Sequence, residues 1–298
     1  MIDPNEAERR VVVGTTGRPA TVASLAGDLR SLGLADGSTV LVHSSVSALG
    51  WVVGGGEAVL LAIEAAVGRD GTVMMPAYSM SAPEPSSWVR PPVPDSWWEL
   101  IRTDWPPFDP VLSPARRLGE VPELFRHQEG TVRSAHPNDS FCARGPNAER
   151  LVGGHSLDSA MGDGSPLARL YELDGLVLLL GVDHGSNSSL HLAEYRAPWS
   201  TEVAHALRRA RLTGRGTTLE VSFDDVELDS DDFAELGREL ELLPGAVRTG
   251  PVGAGVGRLM RQRAAVDFAI DWLPKHRRTE IRRRAQPGRS EPGGSQTP

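Results

Sequence analysis

The densest chemistry in this chain lies in the run Gly181-Val182-Asp183-His184-Gly185-Ser186-Asn187-Ser188-Ser189-Leu190-His191-Leu192-Ala193-Glu194. Two imidazoles, an aspartate and a glutamate follow directly on an apolar segment, a grouping that suits an active site. With Ser188 as a helix cap, His191 falls in the first turn, where the positive end of the helix dipole disfavours imidazolium. A neutral imidazole near pH 7 is what a general base requires. Glu194 lies three residues on, on the same helical face, where it can orient His191 or meet a substrate ammonium. A buried, hydrogen-bonded structural histidine would satisfy the same pattern.

Three further clusters could carry chemistry. Val42-His43-Ser44-Ser45 sets a histidine and two hydroxyls just past a strand, where α/β sheets bind ligands; a capped turn is the plainer reading. Gly54-Gly55-Gly56-Glu57 opens a helix whose free amides could seat an anion such as the pyrophosphate of a CoA-type cofactor, or form only a tight turn. In Arg133-Ser134-Ala135-His136-Pro137-Asn138 the guanidinium could pair with a phosphate, with Ser134 and His136 facing a ligand.

Two rival chemistries draw on the same residues. Ser44 or Ser45 with His191 and an aspartate would make a hydrolytic triad, but no Gly-x-Ser-x-Gly elbow is present. His43, Asp183, His184 and His191 would make a zinc site, but they lack ligand spacing, so no metal is expected. His127, His155, His205 and His276 sit among charged or glycine-rich neighbours and read as surface residues.

The elements that must position these groups follow from pattern. Thr21 caps a helix over Val22–Leu32 that Gly33 stops. Strand Ser38–His43, the glycine turn, helix Glu57–Val67 and strand Thr72–Tyr78 make a βαβ unit. From Ser81 to Pro114 the chain is rich in proline and tryptophan, and a loop this long predicts a lid or substrate wall. Val121–Gln128 is expected to be helical and Thr131–Ala135 a strand. Ser165-Pro166 starts a helix, and Leu176–Val182 is a buried strand. Val203–Arg211 and Thr217–Phe223 pair around Gly214-Arg215-Gly216, and a long helix over Val256–Leu273 closes the fold. The expectation is one α/β domain over residues 1–282, with a mixed central sheet flanked by helices in one or two lobes, then a disordered tail over 283–298.

Composition narrows the function classes. The formal net charge of −8 argues against nucleic acid and suits a cationic small substrate, although solubility alone would explain it. No run approaches the ~20 apolar residues of a membrane helix, and the first ten residues hold no apolar signal segment. Cys142 is the single cysteine, so no internal disulfide forms. A cytoplasmic monomer or homodimer is expected, with no membrane partner.

The segments LVHSSVSALGWVVGGGEAVLLAIEAAVGRDGTVMMPAYS, WPPFDP, VRSAHPNDSFCARGP, MGDGSPLARLYELDGLVLLLGV and NSSLHLAE, in this order, resemble the aminoglycoside 3-N-acetyltransferase family, which is distinct from the GNAT acetyltransferases. PVGAGVGRLMRQRAAVDFAIDWL looks like that family's terminal helix and the turn before it. The resemblance implies acetyl-CoA as donor and the 3-amino group of an aminoglycoside antibiotic as acceptor, on an antibiotic N-acetyltransferase-like fold with an acidic cleft. It puts the family's essential histidine on His191, with Glu194, Asp224 or Asp225 holding its tautomer. His43 falls near the thioester, where it or backbone amides near Ser44 would meet the oxyanion. Cofactor contacts fall on His43, Ser44, Ser45, Gly54, Gly55, Arg133, Ser134 and Ser165; Asp104, Asp139, Asp183 and Glu194 are candidates for the cationic substrate. Nothing about Cys142 suggests a reactive setting, so direct transfer in a ternary complex is expected.

Overall fold

The computed structural model describes residues 11–14, 17–79, 81, 84–88, 91–198, 205–214 and 217–277. The expected tail over 283–298 lies outside them. Helix α1 (Val22–Leu32) begins at the cap expected from Thr21, which the structure extends to a capping box: the Ser24 amide donates to Thr21 Oγ1 at 3.2 Å and the Thr21 amide to Ser24 Oγ at 2.9 Å. Strand β1 (Thr39–Ser44), helix α2 (Gly55–Val67) and strand β2 (Thr72–Pro76) form the βαβ unit, with β1 and β2 parallel from Thr39 opposite Thr72. Strand β3 (Val132–Arg133) and strand β4 (Phe141–Arg144) add antiparallel neighbours beside β2. Strand β5 (Leu176–Leu180) lies parallel on the other side of β1, His43 opposite Leu179.

Strands β6 (His205–Gly214) and β7 (Thr217–Val226) form a separate two-stranded ribbon. Strands β8 (Val247–Val252) and β9 (Gly255–Arg261) complete a seven-stranded mixed sheet in the order β3-β4-β2-β1-β5-β9-β8. The remaining helices are α3 (Trp98–Asp104), α4 (Glu120–Arg126), α5 (Ala148–Val152), α6 (Pro166–Glu172), α7 (His191–Arg196), α8 (Phe233–Glu241) and α9 (Gln262–His276).

Both faces of the sheet are covered, and period two sorts its residues between them. Val40, Val42, Leu178 and Leu180 pack with α1, α2 and α4, whereas Leu41, Val177 and Leu179 pack with helices α5 to α9. This is why β5 reads as an unbroken apolar run. Among the described residues no helix is long and apolar enough to cross a membrane.

Three expectations need correction. The predicted helix from Val256 to Leu273 is a strand and then a helix: Gly255–Arg261 is β9, antiparallel to β5 with Leu178 opposite Leu259, and α9 starts only at Gln262. Pairing with a central strand satisfies backbone groups along β9 that a helix would have satisfied internally, and tertiary context outweighs local pattern. The strand expected over Thr131–Ala135 shrinks to Val132–Arg133. The segment 81–114 is also not structureless, since α3 lies within it, held to the ribbon by Arg211, which donates to the carbonyls of Thr103 and Trp105 at 2.5 Å each.

Candidate functional site

The parallel pair β1–β5 delivers its carboxyl ends to one edge of the sheet, and the site forms there. β1 ends in His43 and Ser44. The chain leaves β5 through Gly181, whose φ of +64° brings it against the Ser45–Ala48 turn; a Cβ there would lie 2.6 Å from Ala48 Cβ. Two short 3-10 turns, His184–Ser186 and Ser188–Leu190, then aim α7, so that His191 is its first residue. A cavity of about 720 Å³ opens at this edge, and His43, Ser44, Ser45, Tyr78, Arg117, Ser188 and His191 are among the residues that line it.

Within the cavity wall, His191 Nδ1 lies 2.6 Å from Glu194 Oε2. Its ring sits 4.8 Å from that of Phe233. Engagement of Nδ1 leaves Nε2 as the nitrogen not committed to Glu194. His43 is 7% exposed, and its Nε2 has no hydrogen-bond partner among the described residues. Burial, then the neighbouring His191, lowers its pKa from 6.5 to about 3, so the ring is neutral at physiological pH. The neutral ring lines the cavity, while its Nε2 itself is buried and without a partner among the described residues.

Two residues of the wall were not foreseen. Tyr78 Oη and Ser188 Oγ are 2.5 Å apart, and burial raises the Tyr78 pKa, so the phenol keeps its proton. Tyr78 follows β2, at the same edge of the sheet as His43; the strand-end argument that singles out His43 would have found it. Arg117 takes a left-handed backbone, φ +60°, and its guanidinium has no partner among the described residues. Nothing in local sequence pattern marks it. A non-glycine residue in that region carries strain, which collects at functional sites.

Other expected site residues are committed elsewhere. The Arg133 guanidinium donates to the carbonyls of Ala77 and Ser113 at 2.5 Å each, to Pro110 O at 3.2 Å and to Ser140 Oγ at 3.0 Å, so it staples loops and is not free for a phosphate. Ser134 is buried; its Oγ accepts from the Phe141 amide at 2.9 Å and meets His155 Nδ1 at 2.9 Å. His155, expected at the surface, is therefore a core residue. Ser165 caps α6 and spends its hydroxyl on Leu167 N and Gly162 O. Gly54 and Gly55 do open α2, but they do not line the cavity, and the Glu120 side chain lies over that turn: a Cβ on Gly56 would stand 2.6 Å from Glu120 Cγ.

The acidic candidates divide in the same way. Glu194 is 2% exposed, and its second oxygen accepts from Asp229 N at 3.1 Å and from Arg277 at 2.5 Å, so it cannot also serve a substrate ammonium. Asp225 is buried and accepts from Tyr195 Oη at 2.7 Å, while Asp224 is exposed and pairs with His205; neither bonds to His191. Asp183 caps its 3-10 turn through Gly185 N, and Asp104 ends α3 at the surface. Asp139 lies close enough to His136, Arg208, Asp225 and His191 to interact electrostatically, and burial raises its pKa, which disfavours the carboxylate form that a substrate ammonium would need.

Among the described residues no group of three or more His, Cys, Asp or Glu could hold a metal ion. Cys142 is buried in the sheet, and burial raises its thiol to about 11, which leaves it inert as a nucleophile at neutral pH.

Comparison with known proteins bears on this geometry. The family model described as aminoglycoside 3-N-acetyltransferase matches residues 41–274. The chain is 37% identical over 281 residues to aminoglycoside N(3)-acetyltransferase VIII of Streptomyces fradiae, covering 89% of this chain and 96% of that protein. The crystal structure of YokD from Bacillus subtilis superposes with a TM-score of 0.85 at 38% identity, covering 90% of this chain and 98% of that one. A solved complex of AAC-IIIb with CoASH superposes with a TM-score of 0.77 at 34% identity, covering 87% and 97%. The full breadth of these matches, together with a mixed sheet whose parallel strands end at a histidine-lined cavity, makes this chain a member of the aminoglycoside 3-N-acetyltransferase family, with its non-GNAT antibiotic N-acetyltransferase fold.

Proposed function

We propose that this protein transfers the acetyl group of acetyl-CoA to the 3-amino group of an aminoglycoside, with His191 as general base. The observation that carries the reading is the His191–Glu194 pair, 2.6 Å between Nδ1 and Oε2, at the wall of a cavity that His43 also lines. Family membership supports acetyl-CoA and aminoglycoside chemistry, and the AAC-IIIb relative is known with CoASH bound. The chain's own residues fit that donor: Arg117, whose guanidinium has no partner among the described residues, lines the cavity and offers itself to phosphate, and Ser44, Ser45 and Ser47 offer hydroxyls. The formal net charge of −8 favours a polycationic acceptor.

His191 Nε2 removes a proton from the bound ammonium, and the freed amine attacks the thioester carbonyl. The neutral His43 ring, which lines the cavity, or backbone N–H groups near Ser44 meet the oxygen on which charge develops. As the carbonyl re-forms, the C–S bond breaks. Of the two protons that nitrogen loses between ammonium and amide, one ends on the CoA sulfur and one in solvent. The inert Cys142 thiol supports direct transfer without an acyl-enzyme.

The test is a panel of aminoglycosides with acetyl-CoA, following thiol release and locating the acetyl group by NMR of the product. Acetylation at the 3-amino group, with kcat of His191→Ala lower by ~10²-fold or more, is expected. Amine-independent thiol release, or an unimpaired His191→Ala enzyme, would defeat the proposal.

A further inference from the structure

Glu194 is a carboxylate only 2% exposed, and a buried charge persists only when paired. Its Oε2 meets His191 Nδ1, and its Oε1 accepts from the Asp229 amide at 3.1 Å and from Arg277 Nη1 at 2.5 Å. Among the described residues Arg277 is the one cation bonded to it. Arg277 stands one residue past the end of α9 and beyond the stretch 41–274 that the family model matches. It is itself clamped: Nε donates to Asp232 Oδ2 at 2.5 Å, Nη2 donates to Asp232 Oδ1, and Nη2 also donates to Asp229 O at 2.7 Å. The guanidinium lies 5.6 Å from the centroid of the Phe233 ring, the ring that packs on His191.

We infer that Arg277 is a positioning residue for the His191 base: by holding Glu194 as a carboxylate it keeps the imidazole proton on Nδ1 and leaves Nε2 free to accept one. The inference rests on the reading of His191 as base given above. Without the guanidinium, the buried Glu194 gains a proton and donates it to Nδ1, which moves the ring proton to Nε2 and abolishes the base. Other groups facing this pair do not replace the lost charge. His191 faces Glu194 on its own helix, His43 from β1, Asp139 from the turn before β4 and Phe233 on α8; Glu194 faces Asp229, and Arg277 faces Asp232. The fold thus assigns the electrostatic state of a residue on α7 to the chain's exit from α9, some 80 residues later.

Two readouts on the full chain test this: ¹⁵N chemical shifts of the His191 ring in the ligand-free protein, assigned with His191→Gln, and the pH profile of kcat/KM. In the wild type Nδ1 is protonated and Nε2 bare at pH 7.5. In Arg277→Met the proton moves to Nε2 or both nitrogens are protonated. Loss of the cation raises the pKa of the His191–Glu194 pair, so the acid limb moves to higher pH by about one unit. At pH 7 that shift lowers kcat by about 3- to 10-fold, while both KM values stay within about 3-fold. Arg277→Lys, which restores the charge but not the fork to Asp232, returns the acid limb part of the way to wild type. Asp232→Asn, which frees one anchor but keeps the cation, lowers Tm without moving the ring proton. A folded Arg277→Met with the wild-type tautomer and acid limb overturns the inference. If that variant does not fold, Arg277→Gln is read in its place by the same criteria. A wild-type protein that acetylates nothing defeats the proposed function, while the ring shifts still report on the clamp.

Discussion

A short contact between His191 Nδ1 and Glu194 Oε2 sets which nitrogen of the ring can do chemistry, and Glu194 has no oxygen left for anything else. Orientation and recognition are therefore separate duties here. The neighbouring His43 has the opposite character, a ring with an unsatisfied nitrogen, held neutral by burial at about pKa 3. At the same scale, Arg117 is a cation with a left-handed backbone and no partner among the described residues. Arg117→Gln is expected to raise KM for acetyl-CoA by ~10-fold, the worth of one charge-assisted contact to phosphate. It should leave KM for acetyl-pantetheine, which carries no nucleotide phosphates, unchanged. Equal effects on the two donors would assign Arg117 a structural role.

Elements reach the site because particular small residues let them approach. Gly237, within α8, admits His184 so closely that a Cβ would lie 2.0 Å from His184 Cγ. His184 in turn bonds to Glu241, at the end of the same helix, with 3.1 Å between Nε2 and Oε1. This contact fixes the first 3-10 turn after β5, which leads through the second into α7. Gly237→Ala should therefore destabilise the fold by about 1–3 kcal/mol through overpacking, despite the higher helix propensity of alanine. A thermal melt with unchanged or raised Tm would contradict that. Helix–strand confusion also belongs to this scale. Gly255–Arg261 carries apolar residues that suit a helix as well as a strand, and only the open edge of β5 decides between them.

For the molecule as a whole, burying histidines has a consequence for pH. His43 and His155 are both held near pKa 3, burial being the main cause in each. Unfolded, they titrate near 6.5. The unfolded chain therefore binds protons below pH 6.5 that the folded chain refuses, and stability falls as pH drops from about 6.5 towards 3. By pH 5 the loss is about 1–2 kcal/mol per histidine, at a pH where the carboxylates are still largely ionised. Urea midpoints at pH 7.5 and pH 5 should differ accordingly, and the gap should narrow in His155→Gln. Coincident midpoints in the wild type would mean that these rings are accessible to protons.

The βαβ unit, the capped α1, the buried β5, His43 at a strand end and His191 in the first turn of a helix were all legible in the chain, because local period, caps and glycine turns encode them without reference to distant residues. The resemblance placed cofactor contacts on Ser134 and Ser165, whose hydroxyls the folded chain engages with the Phe141 amide, His155, Leu167 N and Gly162 O; local spacing does not show whether a serine hydroxyl faces a cavity or a backbone group. Arg117, Tyr78 and Arg277 became visible only in the folded state. Sequence alone determined the identity of the chemical groups and the elements that carry them. Tertiary structure alone decided which groups are left unpaired and which are spent, because a hydrogen bond or an ion pair between residues 83 positions apart, as for Glu194 and Arg277, leaves no trace in the spacing of either.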